Sequence, residues 1–156
     1  MYAPDHASLA TPLGPVTVQG DDTRITAVRI GAAPAGSTGS AAAVREAVAQ
    51  LRAYFAGRLT RFDLPLAPAA TSRGAALRDG IAQIGYGRTA GYGEVAAAVG
   101  SSARAVGQAC ARNPFPLVVP CHRVLQAGGV LGPYSAGEGP ATKRWLLDFE
   151  ASARAC

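Results

Sequence analysis

No run of apolar residues is long enough to cross a bilayer, and the chain does not begin with a basic-then-apolar stretch; both readings point away from a membrane or secreted protein. Paired cysteines are missing as well. Cys110, Cys121 and Cys156 make an odd count with no CxxC spacing, which argues against a disulfide framework and a conventional zinc site. Lysine is almost absent, since fourteen of the fifteen cations are Arg; a guanidinium makes forked contacts to phosphate that an ammonium does not. Aromatics are only 6% of the chain, and no internal repeat stands out. Alanine and glycine are plentiful, and 49% of the 156 residues are apolar, enough for the core of one ordinary domain or two small ones. The expectation is a cytoplasmic protein with a loose polar start over residues 1–5.

The net charge is +5, unevenly spread: residues 1–70 hold six Arg and five acids, residues 71–156 nine Lys plus Arg and five acids. Clustered positive charge suits a polyanion, of which DNA is the commonest.

The hydrophobic pattern predicts an α+β chain: a small N-terminal antiparallel sheet with one helix over 1–70, then a mostly helical C-terminal domain over 71–156 that contains a helix-turn-helix. Residues 8–20 read as a hairpin, Asp21-Asp22 as a turn, and 25–30 as a half-buried strand. Residues 31–40 read as a loop. From Ser40, a candidate cap, Val44, Val48, Leu51 and Tyr54-Phe55 recur at helical steps until Gly57. Residues 61–66 alternate and predict a third strand, at an edge because of Pro65. A linker follows over 67–72. Further on, Ala75, Leu77, Ile81 and Ile84 line one helix face. Helices over 93–99 and 103–112 flank Gly100-Ser101-Ser102, with Ser101 or Ser102 as cap. Asn113-Pro114 ends the second of these. A closing helix spans 141–150 and buries Trp145, Leu146 and Phe149 in some combination.

The chemistry concentrates at Pro120-Cys121-His122-Arg123-Val124, which follows the apolar, proline-rich run 113–119. That run reads as a buried strand. A thiol is a strong nucleophile only as thiolate, and an imidazole can take its proton. On an extended chain neighbouring side chains point to opposite sides, so a water or a bend must connect Cys121 to His122. The bland alternative is a free cysteine packed as a small hydrophobe.

Arg104-Ala105-Val106-Gly107, Asn113-Pro114, the Pro-Cys-His-Arg-Val run, Gly132-Pro133-Tyr134-Ser135, and Lys143-Arg144-Trp145-Leu146-Leu147 with Glu150 occur in an order that resembles the O6-alkylguanine-DNA alkyltransferases. The likeness extends upstream to Tyr86-Gly87 and Gly91-Tyr92-Gly93-Glu94. It is specific over about 84–150 and weaker over about 8–70.

The resemblance implies irreversible transfer of an alkyl group from guanine O6 in double-stranded DNA to Cys121, with each protein consumed once. It implies that His122 acts as base through a bridging water, that Glu150 holds the other ring nitrogen, and that Asn113 braces the turn before the reactive residue. The target atom lies inside the duplex, so the nucleotide must be flipped out. Arg104 matches the family's intercalating finger, on a helix whose small residues Ala103, Ala105 and Gly107 let it sit deep in the minor groove. Tyr92, Tyr134, Ser135 and Val124 match base-contacting positions. Cys110 falls on an apolar pocket wall and reads as packing. Neither cofactor, metal, membrane nor obligate protein partner is implied, and the expectation is a monomer.

Two departures stand out. The family's usual tryptophan position on the helix before Tyr86 is Arg78, and the loop 136–140, which carries Glu138, is about two residues longer than in many relatives. Three rivals are weighed beside alkyl transfer. A non-catalytic lesion-binding relative would lack the reactive cysteine, a helix-turn-helix regulator would not need Cys121, His122 and Glu150, and a cysteine hydrolase would need an oxyanion hole.

Overall fold

The computed structural model describes residues 5–31 and 39–154. The predicted loose start, most of the 31–40 loop and Cys156 lie outside the described residues. Contacts divide the chain into two compact units, Met1–Ala67 and Pro68–Cys156, and the fold is α+β. Among the described residues no helix is long and apolar enough to cross a membrane.

In the first unit β1 (Asp5–Thr11), β2 (Gly14–Gly20) and β3 (Ile25–Ile30) form an antiparallel sheet in that order. Thr11 pairs with Gly14 across a two-residue turn. The Thr11 hydroxyl fixes it, donating to the Gly14 carbonyl at 2.6 Å and accepting from the Leu13 N–H at 3.1 Å. The β2–β3 turn is held by Asp21, whose Oδ1 accepts from the Thr23 and Arg24 N–H groups, an Asx-type turn. Val16, Val18, Ile25, Val28 and Ile30 are buried on the sheet, as are Val44, Ala47, Leu51 and Tyr54 of α1 (Ala42–Phe55).

Two expectations fail in this unit. Ser40 is not the cap of α1: the N-cap position is Ala41, and the exposed donors of the first turn go to distant carboxylates. Asp5 Oδ2 accepts from the Ala41 N–H at 2.8 Å and Asp22 Oδ1 from the Ala42 N–H at 2.7 Å, an arrangement that also suits the positive end of the helix dipole. Residues 61–66 form no strand. Only Leu66 makes a bridge, to Ile25. Pro65 lacks an N–H, and both backbone groups of Asp63 are taken by the Gln50 amide, so pairing shrinks to one point: the Pro65 carbonyl accepts from the Ile25 N–H and the Ala67 N–H donates to the Ile25 carbonyl.

The second unit begins with α2 (Ser72–Ala82), capped by the Thr71 hydroxyl. It packs on α3 (Tyr92–Val99), which packs on α4 (Ala103–Ala111). Gly80 permits the first contact, since a Cβ there would stand 2.5 Å from Val99 Cγ1. Gly100 ends α3 at φ 68°, a left-handed conformation that favours glycine, and the Ser102 hydroxyl accepts from the Ala105 N–H at 3.1 Å to start α4. This is the predicted helix-turn-helix. A short parallel pair, β4 (Ala90–Gly91) with β5 (Val124–Leu125), ties the start of α3 to the segment after Cys121. In α5 (Pro140–Arg154) Leu146 is fully buried, while Trp145 and Phe149 are half-buried and stack at 5.0 Å.

The predicted strand over 113–119 is instead a turn, and Cys121–Arg123 is a short 3-10 helix. Prolines 114, 116 and 120 remove ladder donors. The Asn113 side chain closes the turn: its Oδ1 accepts from the Phe115 N–H at 2.9 Å and its Nδ2 donates to the Val119 carbonyl at 2.9 Å. Leu117 takes φ 77° inside it, a left-handed conformation that a non-glycine residue rarely adopts, and is buried.

Candidate functional site

The short helix at Cys121 presents three consecutive buried side chains, the first to Asn113 and the next two to one carboxylate. Cys121 faces Asn113, whose Nδ2 donates to Sγ at 3.3 Å. His122 Nε2 lies 2.8 Å from Glu150 Oε2. Arg123 grips the same carboxylate from its other side, Nε donating to Oε1 at 2.9 Å and Nη2 to Oε2 at 3.0 Å. Its third nitrogen donates to the Ile84 carbonyl at 2.7 Å, two residues past the end of α2. Gly87 N–H also donates to Glu150 Oε1, at 3.4 Å. One carboxylate on α5 thus fixes the reactive turn and the segment after α2. A bend, not an extended chain, separates the two side chains of the Cys-His pair.

His122 and Glu150 are both fully buried. Burial works to raise the Glu150 carboxyl, but the hydrogen bonds and charges of His122 and Arg123 outweigh it and hold the carboxyl at about 2. Burial lowers His122 against the pull of Glu150, so the ring is neutral at pH 7. A neutral ring facing a carboxylate carries its proton on Nε2. The lone pair is then on Nδ1, a buried atom with no hydrogen-bond partner among the described residues. The site therefore holds a base with its lone pair free, oriented by an acid behind it.

Cys121 lies at a cavity of about 200 Å³, also lined by Tyr92, Gly107, Cys110, Ala111, Pro133, Tyr134 and Ser135. The Cys121 thiol is held well above its usual value, first by a hydrogen bond with the Cys110 thiol and then by burial, with Asn113 and Lys143 pulling the other way. At rest it is a thiol and needs a base. Cys110 moves down, because its hydrogen bond with Cys121 outweighs burial. Burial raises the Tyr134 hydroxyl and, less strongly, that of Tyr92, so both remain protonated hydrogen-bond donors across the physiological range.

The predicted residues divide among distinct places. Cys121, Asn113, His122 and Glu150 form one linked set, and Tyr92, Gly107, Tyr134 and Ser135 line the cavity. Ala103 and Arg104 line an adjoining, more open groove, which shares Tyr92, Gly107 and Pro133 with the cavity. Ala105 lies on the other flank of α4, in a cleft with Arg73, Arg78 and Arg112. Val124 is fully buried, pairs with Ala90 and lines none of these openings. Arg78, at the family's tryptophan position, lays its guanidinium over the Phe115 ring at 5.1 Å, so it covers the reactive turn from outside. In the longer loop the Glu138 N–H donates to the Thr142 hydroxyl, which leads the loop into α5.

Two contributors escaped sequence reasoning. Arg123 was part of the motif without a role, and it is the clamp on Glu150. Lys143 is fully buried, donates to the Pro133 carbonyl at 3.2 Å and stands 5.9 Å from the Tyr92 ring. Cys110 sits on the cavity wall as expected, and the same wall carries the acceptor thiol. The spacing 143, 146, 150 could have placed Lys143 on the same helical face as Glu150, two turns away. No comparable signal marks Cys110.

Two family models match the chain: "6-O-methylguanine DNA methyltransferase, ribonuclease-like domain" over residues 6–68, and "6-O-methylguanine DNA methyltransferase, DNA binding domain" over residues 75–152. A methylated-DNA–protein-cysteine methyltransferase of Methanosarcina acetivorans is 37% identical over 155 residues, 94% of this chain and 98% of the relative. One of Mycobacterium tuberculosis is 39% identical over 154 residues, 94% and 92% of the two chains. Among solved structures, Mycobacterium tuberculosis OGT in complex with DNA superposes with a TM-score of 0.83 at 38% identity, covering 96% of this chain and 94% of that one.

Proposed function

We propose a function from one premise: the chain belongs to the 6-O-methylguanine DNA methyltransferase family. It is a methylated-DNA–protein-cysteine methyltransferase that binds DNA and repairs it by alkyl transfer. The lesion is O6-alkylguanine in double-stranded DNA, approached from the minor groove by a monomer, and the acceptor is Cys121.

The observation that carries this assignment is the placement of Cys121 at a lined cavity with a neutral, carboxylate-backed imidazole beside it in sequence. The proposed sequence begins with the helix-turn-helix on the duplex and Arg104 inserted where the damaged guanine leaves the stack. Unstacking costs a few kcal/mol, about what the inserted side chain and base pocket must offset. The guanine enters the cavity between Tyr92, Tyr134 and Ser135. His122 Nδ1 takes the Cys121 proton by way of a bridging water, and Glu150 stabilises the resulting imidazolium. The thiolate attacks the alkyl carbon in line with O6: the S–C bond forms as the C–O6 bond breaks, and the electron pair leaves with guanine. Tyr134 and Ser135 supply donors where charge develops on the leaving group. The guanine takes up a proton, and the sulfur remains as a thioether.

A duplex carrying O6-methylguanine tests this. After incubation, the tryptic peptide 113–123 gains about 14 Da, one methylene, in the native chain and not in Cys121→Ala. Unmodified native protein that still binds the duplex tightly would instead make this chain a lesion-binding relative.

A further inference from the structure

The alkyl-transfer scheme leaves the second thiol unused. Cys110 lies near the C-terminal end of α4, half-exposed, and lines the same cavity as Cys121. Each thiol shifts the other's titration, Cys121 upward and Cys110 downward, as two sulfurs facing one small cavity do. Lys143 lies close enough to favour negative charge on either sulfur. A half-exposed thiol held below its usual value beside a cation is the kind that reacts, and Cys110 is that thiol, with Cys121 on the same cavity.

We propose that Cys110 and Cys121 are a redox pair: a hydroperoxide that enters the cavity converts them into an intramolecular disulfide, which masks the alkyl acceptor until a thiol reductant restores it. The chemistry balances in two steps. One cysteine attacks the peroxide oxygen, the O–O bond breaks, and a sulfenic acid and water (or an alcohol) result. The second thiol attacks that sulfenic sulfur, the S–O bond breaks, and the S–S bond forms with release of water. The two sulfurs supply the two electrons, and peroxide is reduced. An S–S bond is about 2.05 Å, shorter than any thiol hydrogen bond, so closure draws Cys121 toward α4 and off its contact with Asn113.

This gives Cys110 a protective role. A sulfenic acid at a solitary acceptor cysteine proceeds to sulfinic acid, which thiols do not reverse. With a resolving thiol on the same cavity, the oxidised acceptor is trapped in a recoverable form.

The experiment treats the native chain, without DNA, with a few equivalents of hydrogen peroxide, blocks free thiols and maps peptides without reduction. Because it reads sulfur connectivity by mass, it is independent of whether the protein transfers alkyl groups. The expected product links peptides 105–112 and 113–123 with loss of two hydrogens, and disappears on treatment with dithiothreitol. In Cys110→Ala and Cys110→Ser alike, peroxide should instead yield Cys121 sulfinic acid that dithiothreitol does not reverse, at least tenfold more of it than in the native chain. A native chain in which Cys121 goes directly to sulfinic acid overturns the proposal, as does one that pairs Cys121 mainly with Cys156.

Discussion

Glu150 carries more of the site than its position on the last helix suggests. Its carboxylate accepts from His122, twice from Arg123 and from the Gly87 N–H. Glu150→Gln leaves Arg123 buried beside a neutral amide, a change that typically costs ~3–5 kcal/mol; a urea melt at pH 7 should show it. The pH dependence follows with a definite sign. The carboxyl titrates near 4.5 in the unfolded chain and at about 2 in the fold. Its contribution, on the order of 3 kcal/mol, is therefore complete above pH 4.5 and lost as pH falls toward 2. His122 adds to the acid loss earlier. It is held neutral in the fold, so the unfolded chain gains a proton first, below about pH 6.5. Stability measured from pH 7 to 3 should fall in both windows for the native chain, and Glu150→Gln should lack the lower one. His122→Ala should slow transfer by roughly 10²–10⁴-fold, the usual contribution of a positioned base. Asn113→Ala opens the reactive turn and should cost ~1–3 kcal/mol. At this scale the sequence discloses which residues matter better than how they meet. Cys121 and His122 are legible as neighbours, but an extended chain was expected and a 3-10 helix is found, because a side chain eight residues upstream closes the turn. Nothing local to Leu117 signals its left-handed backbone.

Among the elements, the helix-turn-helix was legible because its punctuation is local: Gly100 supplies the positive φ and Ser102 the cap. The edge strand over 61–66 was not, because its pattern is satisfied by Gln50, a partner that sequence spacing does not reveal. Gly80 is where α2 meets α3, since a Cβ there would stand 2.5 Å from Val99 Cγ1. Gly80→Ala removes a helix-breaking glycine, a gain of about 1 kcal/mol in an exposed helix. Here the new methyl meets Val99, and overpacking of this kind costs ~1–3 kcal/mol; the melting temperature should fall, not rise. For α4 the test is ionic. If Arg104 fills the gap left by the flipped base, Arg104→Ala should slow transfer on duplex DNA while the slope of log affinity against log salt changes by less than about 0.9. A phosphate contact would shift that slope by about that much.

For the molecule as a whole, the family and the fold were legible from motifs in order, and the division of the positive charge foretold where they sit. What spacing alone left hidden is the second thiol, since the ten residues between Cys110 and Cys121 carry no mark that the two line one cavity. Alkylation should destabilise the folded chain. The thioether cannot donate to Cys110, and its added carbon crowds the Asn113 amide that stands 3.3 Å away. A loss of ~1 kcal/mol lowers the melting temperature by about 2–4 °C for a chain of this size, so scanning calorimetry before and after transfer should resolve it. The central claim is that a single sulfur is spent on each lesion. A tenfold excess of duplex bearing O6-methylguanine, mixed with a known amount of protein and followed to completion, tests that most directly. The repaired guanine should level off at one per chain, with the methyl on Cys121; repair that continues past one per chain, or a plateau with the methyl elsewhere, would contradict it.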